Sequence, residues 1–250
     1  MKKTKYLLYD KWLSEIIGKE SYTLKLGANY KENVTKVNDW VHSIKNSDNE
    51  PLFVFTKVST HAVSTIKYLE SIGFFLIDTN VAMKKIIESQ CLNNINHDTH
   101  GIIIRFAKDS DREGTVSVAG DTFLYSRFHL DPWFSNKLAN KIKAQWVASY
   151  FDGNRGNQMV IALSKNKIIG FLQILKPDDN YFIIDLIGVD KEHQKKGIAF
   201  RMIDYAIQEN SCINKVMVGT QIGNIPSIRL YQKMGFFLEN AKYVFHFHRD

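Results

Sequence analysis

Cysteine, proline and long apolar runs are scarce in this sequence, and each shortage excludes a class of protein. The 2 cysteines among 250 residues cannot form a disulfide framework, which favours a reducing compartment. With 4 prolines and 14 glycines, the chain is neither fibrous nor rich in linkers. No apolar run reaches the roughly 18 residues of a membrane span, and the run at residues 6–9 is too short for a signal peptide. We therefore expect a cytoplasmic protein without a membrane partner.

The composition is that of a globular protein, with 44% hydrophobic and 24% charged residues. The net charge of +7 is shared between residues 1–88 and residues 89–250 and forms no single stripe. Nucleic-acid binding favours a basic stripe with interleaved aromatic residues. We therefore expect no nucleic-acid partner, and a general attraction for anions is the simpler interpretation.

A polar stretch at residues 89–100, with three Asn and two His, predicts a linker. It divides the chain into a smaller N-terminal domain (residues 1–88) and a larger C-terminal domain (residues 101–250). In the smaller domain, residues 74–83 predict two strands around a tight turn at residues 78–80.

The larger domain predicts a mixed central sheet flanked by helices. Residues 181–189 are almost continuously apolar, as in a strand buried on both faces. Residues 199–207 have the spacing of an amphipathic helix, and residues 215–220 predict the next strand. The fold class is therefore α/β (α+β).

The segment between that buried strand and that helix predicts an anion site. A helix start has about four unpaired N–H groups and a positive dipole end, which together bind phosphate oxygens. Gly197 lets the backbone approach an anion, Ala199 is nearly as small, and Lys195 and Lys196 add positive charge. Taken alone, the segment also fits an ordinary charged loop that caps a helix.

A second segment, one strand downstream, makes the functional interpretation of the first segment more specific. Asn224 precedes a predicted helix, Ser227 lies in its first turn, Tyr231 lies near its end and Gly235 follows it. With the Gln-x-x-Gly-x-Ala loop that begins at Gln194, this order resembles the two signatures of the GNAT acyl-CoA N-acyltransferase superfamily. The resemblance covers roughly residues 101–250 and implies the GNAT fold, acetyl-CoA as co-substrate and a small-molecule amine as acceptor.

The N-terminal domain contains an echo of the second segment. Residues 68–76 are similar to residues 230–238, and both predict a helix, a glycine stop and an aromatic strand. The first copy lacks a counterpart of the anion loop. It predicts a partial GNAT-like half with a structural or substrate-shaping role, although chance similarity of two helix-to-strand junctions explains it equally well.

Looser motifs resemble the dTDP-fucosamine N-acetyltransferase family. They are residues 125–128, 132–134, 144–146, 220–224 and, near the N-terminus, 12–18. This resemblance implies a nucleotide-linked amino sugar as acceptor. A peptide N-terminus, a polyamine or a small drug-like amine stays open as an alternative acceptor, and a non-catalytic acyl-CoA sensor stays open as another class of function. A homodimer is compatible with any of these.

The superfamily resemblance implies roles for individual residues. Backbone groups near Ile187, Gly188 and Val189 hold the pantetheine arm and the thioester carbonyl. The residues that bind the pyrophosphate are Gln194, Lys195, Lys196, Gly197, Ile198 and Ala199. Asn224 contacts the arm, with Ser227 as a weaker candidate. Tyr231 matches the general acid, since a phenol stays protonated at neutral pH; the alternative is a core tyrosine.

The general base and the acceptor site are less constrained by sequence. In a regular strand Asp185 shares a face with Ile187 and Val189, where it could accept a proton; an acid satisfied by its neighbours is the alternative. The aromatic segment that contains Tyr125, Arg127, Phe128 and Trp133 predicts an acceptor site, with rings for base and sugar and the arginine for diphosphate. A packed aromatic loop is the competing interpretation. Two histidines, His246 and His248, share a strand face, but the sequence pairs no further ligand with them, so we expect no metal.

Overall fold

The computed structural model describes residues 6–27, 29–45, 51–88 and 101–249. Its strands are β1 (Leu7–Tyr9), β2 (Glu20–Leu24), β3 (Leu52–Ser59), β4 (Phe75–Ile86), β5 (Ile102–Phe106), β6 (Gln158–Ser164), β7 (Lys167–Asp178), β8 (Tyr181–Val189), β9 (Lys215–Gln221) and β10 (Phe237–Arg249). Its α-helices are α1 (Lys11–Ile17), α2 (Tyr30–Lys45), α3 (Val63–Ser71), α4 (Arg112–Thr122), α5 (Arg127–Leu130), α6 (Asn136–Phe151), α7 (Ile198–Glu209) and α8 (Ile225–Lys233). None of the helices in these described ranges is long and apolar enough to cross a membrane.

The ten strands form one mixed sheet in the order β1-β2-β3-β10-β4-β9-β8-β7-β6-β5. The β2–β3 and β8–β9 pairs are parallel, and the other neighbours are antiparallel. Because β4 lies between β9 and β10, the N-terminal and C-terminal parts of the chain share this sheet. The predicted linker at residues 89–100 lies outside the described residues, and the division into two domains stays a prediction.

Helices cover both faces of the C-terminal strands. Buried side chains of α7 and α8 form one apolar cluster with β6, β7, β8 and β9, and those of α4 and α6 form another on the opposite face. Near the other end of the sheet, α2 and α3 pack on β1, β2, β3 and β10. A mixed sheet between helical layers confirms the predicted α/β class.

Positive φ angles mark the tight turns of the structure. Lys165 and Asn166 form the hairpin turn between β6 and β7, with φ angles of 48° and 63°. The two halves of the echo share one form, since Gly73 ends α3 with φ 96° and Gly235 follows α8 with φ 84°.

The predicted turn at residues 78–80 is wrong, because β4 runs unbroken through it. Turn-forming Asp and Asn are accommodated in a strand here because β4 pairs with β10 on one side and with β9 on the other. Two ladders of hydrogen bonds override the local preference of these residues. The backbone of Asp78 is thereby held within the sheet.

The central strand β8 has a β-bulge at Asp185, the extra residue between Ile184 and Leu186 in the pairing with β7. One extra residue reverses the alternation of faces. Accordingly Ile184 packs towards α7, whereas Leu186 packs towards α4 and α6, and Ile187 and Val189 return to the α7 side. The expectation from a regular pleat therefore does not hold: Asp185 lies on the face opposite to Ile187 and Val189.

Gly188 is required by packing, because a Cβ at this position would lie 2.7 Å from Cε1 of Phe171. We expect Gly188→Ala to lower the free energy of unfolding by ~1–3 kcal/mol, as is typical of overpacked sites. Urea denaturation measures the change. Gly27→Ala is the matched control, since a Cβ there meets no atom within 4 Å. Equal stabilities of the two variants would contradict the packing argument.

Candidate active site

A gap opens between β8 and β9 in the middle of the sheet. Their parallel pairing runs from Tyr181 opposite Lys215 to Ile184 opposite Val218 and then stops. Beyond this point β8 continues to pair with β7, while β9 continues to pair with β4. Each strand therefore keeps a partner on its outer side and presents an unpaired inner edge to the gap.

Strand alternation decides which backbone groups of β8 face the gap. The N–H of Asp190 donates to the carbonyl of Ile169 on β7, so every second residue before it also turns its polar groups towards β7. Gly188 is one of these. Ile187 and Val189 turn theirs into the gap, where the carbonyl of Val189 accepts a hydrogen bond from the Gln194 side chain (3.0 Å).

The predicted anion loop leads directly into α7. Gly197 adopts φ 75° and precedes the first helical residue, Ile198, and a Cβ on Gly197 would meet only open space. Lys195 also has a positive φ, of 62°, and left-handed residues of this kind occur in backbone nests that bind anions. Ala199, in the first turn, has an N–H without an acceptor in the helix. These features favour the predicted anion site, which stays a prediction.

Lys196 is the residue of the predicted loop that lies outside the cleft lining. The ammonium of Lys196 donates to the carbonyl of Glu192 at 2.8 Å, and Lys196 does not line the cleft, whereas Gln194, Lys195, Gly197, Ile198 and Ala199 do. Its side chain is held on the outer surface of the loop by this bond. A direct phosphate contact from its ammonium would require the bond to break.

Helix α8 brings Tyr231 into the same cleft. The Asn224 side chain caps the helix by accepting from the N–H of Ser227 at 3.3 Å and by donating to the hydroxyl of Thr220 at 3.3 Å. Asn224 and Ser227 both line the cleft. Tyr231 is 2% exposed, and burial raises the pKa of its phenol. A raised pKa keeps the phenol protonated, as a proton donor requires.

Asp185 is saturated by neighbouring donors. Arg155 donates to both carboxylate oxygens at 2.7 and 2.6 Å, and Trp146 and Gln173 donate to Oδ2 at 3.0 and 3.2 Å. This bidentate pair favours the interpretation of Asp185 as an acid satisfied by its neighbours. Its role as a general base stays a prediction without a free oxygen to support it.

The cleft has a volume of about 750 Å³ and extends from the anion loop to the predicted acceptor segment. Tyr125, Arg127 and Phe128 line it as predicted. Trp133 does not: it is 50% exposed and stacks on His248, with ring centroids 5.0 Å apart. The structure therefore does not bring Trp133 to an acceptor in this cleft.

Arg127 is held between aromatic rings. Its guanidinium carbon lies 3.5 Å from the ring centroid of Phe55 and 4.4 Å from that of Phe128. Burial lowers the pKa of Arg127, against the charges of Asp10 and Asp131, yet a guanidinium remains charged at neutral pH. The rings fix a planar cation at the wall of the cleft.

Two further cations line the same region, and sequence reasoning missed both. Lys143 on α6 is 7% exposed, and burial with the charge of Arg127 lowers its pKa to about 7. Lys57 on β3 also lines the cleft. Loss of solvent around its ammonium and the charge of Arg127 lower its pKa to about 8. No carboxylate among the described residues forms an ion pair with any of the three.

Arg127 connects to a buried polar network. Asp131 Oδ2 lies 2.6 Å from Nδ1 of His246 and 2.8 Å from Nε2 of His248, while His246 Nε2 lies 3.4 Å from the guanidinium of Arg127. The carboxylate selects the Nδ1–H form of His246, and its Nε2 then accepts from Arg127. One possible metal-ligand atom from each of Asp131, His246 and His248 lies within 4.8 Å of the other two. The sequence did not reveal that Asp131 joins the two histidines. The absence of a metal stays a prediction.

The comparisons with known proteins agree with this geometry. Residues 124–236 match the model of the acetyltransferase (GNAT) family. This segment is therefore similar to GNAT acetyltransferase domains. The spore coat polysaccharide biosynthesis protein SpsD of Bacillus subtilis (strain 168) is 36% identical to this chain over 138 residues. That match covers 54% of this chain and 47% of SpsD, so it spans about half the length of the curated relative.

Two solved structures share the fold over nearly the whole chain. A GCN5-related N-acetyltransferase from Sphaerobacter thermophilus has a TM-score of 0.64 at 13% identity, covering 98% of this chain and 76% of its own. A functionally unknown conserved protein from Staphylococcus epidermidis has a TM-score of 0.67 at 14% identity, covering 100% of this chain and 94% of its own. The sheet with its N-terminal strands is thus an arrangement found in other proteins.

The buried His246 makes stability depend on pH. Burial lowers its pKa to about 4 despite the hydrogen bond that it donates to Asp131, whereas in the unfolded chain it titrates near 6.5. The unfolded state therefore binds a proton first as the pH falls, and we expect the free energy of unfolding to drop by ~2 kcal/mol between pH 6.5 and 5. Urea denaturation at both pH values measures this. His246→Asn should reduce the drop to the smaller contribution of His129, whose pKa is also lowered by burial, and His61→Asn, at an exposed position, should retain it.

Proposed function

We propose that the protein is an N-acetyltransferase that moves the acetyl group of acetyl-CoA to the amine of a nucleotide-linked amino sugar. The gap between β8 and β9 carries the proposal, because it opens beside the start of α7 and in the same cleft as Tyr231. A ligand that combines a pyrophosphate with an extended polar arm suits a helix start followed by an unpaired strand edge.

The backbone supplies most of the proposed contacts to acetyl-CoA. The polar groups of Ile187 and Val189 face the gap and suit the amides of the pantetheine arm, with Gly188 between them keeping the strand close to Phe171. The loop that starts at Gln194 and includes Lys195, Gly197, Ile198 and Ala199 suits the pyrophosphate. Asn224 and Ser227 line the same cleft.

The proposed reaction is direct transfer. The amine attacks the thioester carbon, the C–N bond forms, and the C–S bond breaks to release the CoA thiolate. Backbone N–H groups of β8 suit the oxygen that becomes negative, and one such donor is typically worth ~3 kcal/mol. Tyr231 then gives its proton to the thiolate.

The acceptor end of the cleft supports an anionic acceptor. The charge of Arg127 lowers the pKa of Lys57 and of Lys143, against the charges of Asp78 and Asp185. No described carboxylate forms an ion pair with any of the three cations. A diphosphate would supply the missing negative charge, and the rings of Tyr125 and Phe128 suit a base or a sugar. A polyamine would be repelled here. SpsD, by its name, acts in polysaccharide biosynthesis, which is in keeping with a sugar acceptor.

Tyr231→Phe tests the proton donor. We expect kcat to fall by about 10²–10³, the usual range for loss of a general acid, while Kd for acetyl-CoA stays the same because the ring still packs against Phe236. Free-thiol release measures kcat, and isothermal titration measures Kd. Tyr243→Phe, which lies outside the cleft, is the control. Unchanged turnover in the Tyr231 variant would reject the assignment.

Lys143→Met tests the anionic acceptor. The assay uses a panel of four classes of amine: dTDP-linked amino sugars, the same sugars without nucleotide, peptides and polyamines. We expect turnover with the dTDP-linked amino sugars, the first group. For that group we expect KM to rise about tenfold or more in Lys143→Met, as for a lost charged hydrogen bond. In the wild type KM should also rise above pH 7, where Lys143 loses its charge. Lys137→Met, exposed on the same helix, should change neither property.

A further inference from the structure

Asp78 and Asp185 are the two carboxylates among the described residues that line the cleft, and they differ in one respect. Asp185 receives four hydrogen bonds from three side chains. Asp78 is 8% exposed, and its Oδ2 has no hydrogen-bond partner among the described residues. A buried carboxylate oxygen without a donor is costly. Its presence in a ligand-sized cleft therefore points to a donor that arrives with the ligand.

The position of Asp78 is set by the sheet. It pairs with Val244 on β10, and two residues further along β4 Asn80 pairs with Gln221 on β9. Strand β4 is the one that β9 keeps as its partner after leaving β8. Asp78 thus lies on the wall of the cleft that the N-terminal part contributes, and Tyr231 of α8 lines the same cleft.

No described cation forms an ion pair with Asp78. Lys57 on β3 is the charged group that faces it, but the Lys57 ammonium donates to Oδ1 of Asn80, at 3.3 Å. Arg127 on α5 and Lys242 on β10 act on Lys57. Burial raises the pKa of Asp78, opposed by the N–H of Thr79 and the charge of Lys57. A carboxylate with a raised pKa is a stronger proton acceptor.

We propose that Asp78 binds the ammonium of the acceptor and takes its proton, acting as the general base of the reaction. This inference rests on the proposed N-acetyl transfer. The ammonium gives one proton to Asp78, and the neutral amine forms the C–N bond as the C–S bond breaks. The thiolate takes the proton of Tyr231, the second surplus proton on nitrogen restores Tyr231, and Asp78 releases its proton to solvent.

The same arrangement narrows the acceptor class. One carboxylate for an ammonium and three cations without a carboxylate partner fit a molecule with a single positive amine and at least one negative group. An amine that lacks the negative group would leave the cations unpaired. An anion that lacks the amine would bind without reaction and would leave Asp78 unused.

Asp78→Asn tests the general base through the pH dependence of kcat, which would not change if Asp78 had only a structural role. With the most active acceptor of the panel, we expect kcat at pH 7 to fall by about 10²–10³. The kcat of the variant should then rise about tenfold per pH unit up to the pKa of the acceptor amine, whereas the wild type reaches its plateau at lower pH. Kd for acetyl-CoA should not change. Asp78→Glu should restore part of the rate and the wild-type form of the profile, and Asp179→Asn, exposed in the β7–β8 turn, should match the wild type.

Stability provides a second, independent readout. Asn has the shape of Asp without its charge, so Asp78→Asn removes the cost of burying that charge and should melt no lower than the wild type. A wild-type rate and pH profile in Asp78→Asn would overturn the proposal while leaving the acetyltransferase function intact. A lower Tm without a change of profile would make Asp78 a structural residue and overturn it as well. If the wild-type protein acetylates none of the amines, the proposed function and this inference both fail.

Discussion

The parting of β8 and β9 after Ile184 and Val218 is the constraint on which the rest of the site depends. Two strands in the middle of a sheet separate only if each has another partner, because unpaired backbone groups in the interior are costly. Here β7 holds β8, and β4 holds β9. The backbone groups that lose a strand partner at this parting lie on the inner edges of β8 and β9, which is where a ligand with its own amides would replace the missing ladder.

This constraint explains why the N-terminal part matters to a site whose recognisable motifs lie in the C-terminal part. Strand β4, from the N-terminal part, is the partner that allows β9 to leave β8. The same part supplies Lys57 and Asp78 to the wall of the cleft and Phe55 to the stack on Arg127. The helix–glycine–strand echo therefore ends in two strands, β4 and β10, that pair with each other beside the site.

The two ends of the cleft both present groups that attract negative charge. At one end, the start of α7 has N–H groups without acceptors in the helix. At the other, Arg127 is fixed by aromatic rings and His246, while Lys57 and Lys143 have pKa values lowered to about 8 and about 7. The charge of Arg127 contributes to both shifts, and the buried network behind Arg127 keeps that cation in place.

The sequence by itself determined the elements and the anion loop. Their signals are local: apolar spacing located α7, a strand-length apolar run located β8, and the order of Asn224, Ser227 and Tyr231 located α8 and its capping. Only the tertiary structure decided the bulge that turns Asp185 away from Ile187, the strand through residues 78–80 where turn residues were expected, and the meeting of Asp131 with His246 and His248. Lys57, Asp78 and Lys143 gave no sequence signal because charged residues are common on strands and helices. Their chemistry comes from burial and from neighbours far away in the chain, and both exist only once strands from the two ends of the chain lie side by side.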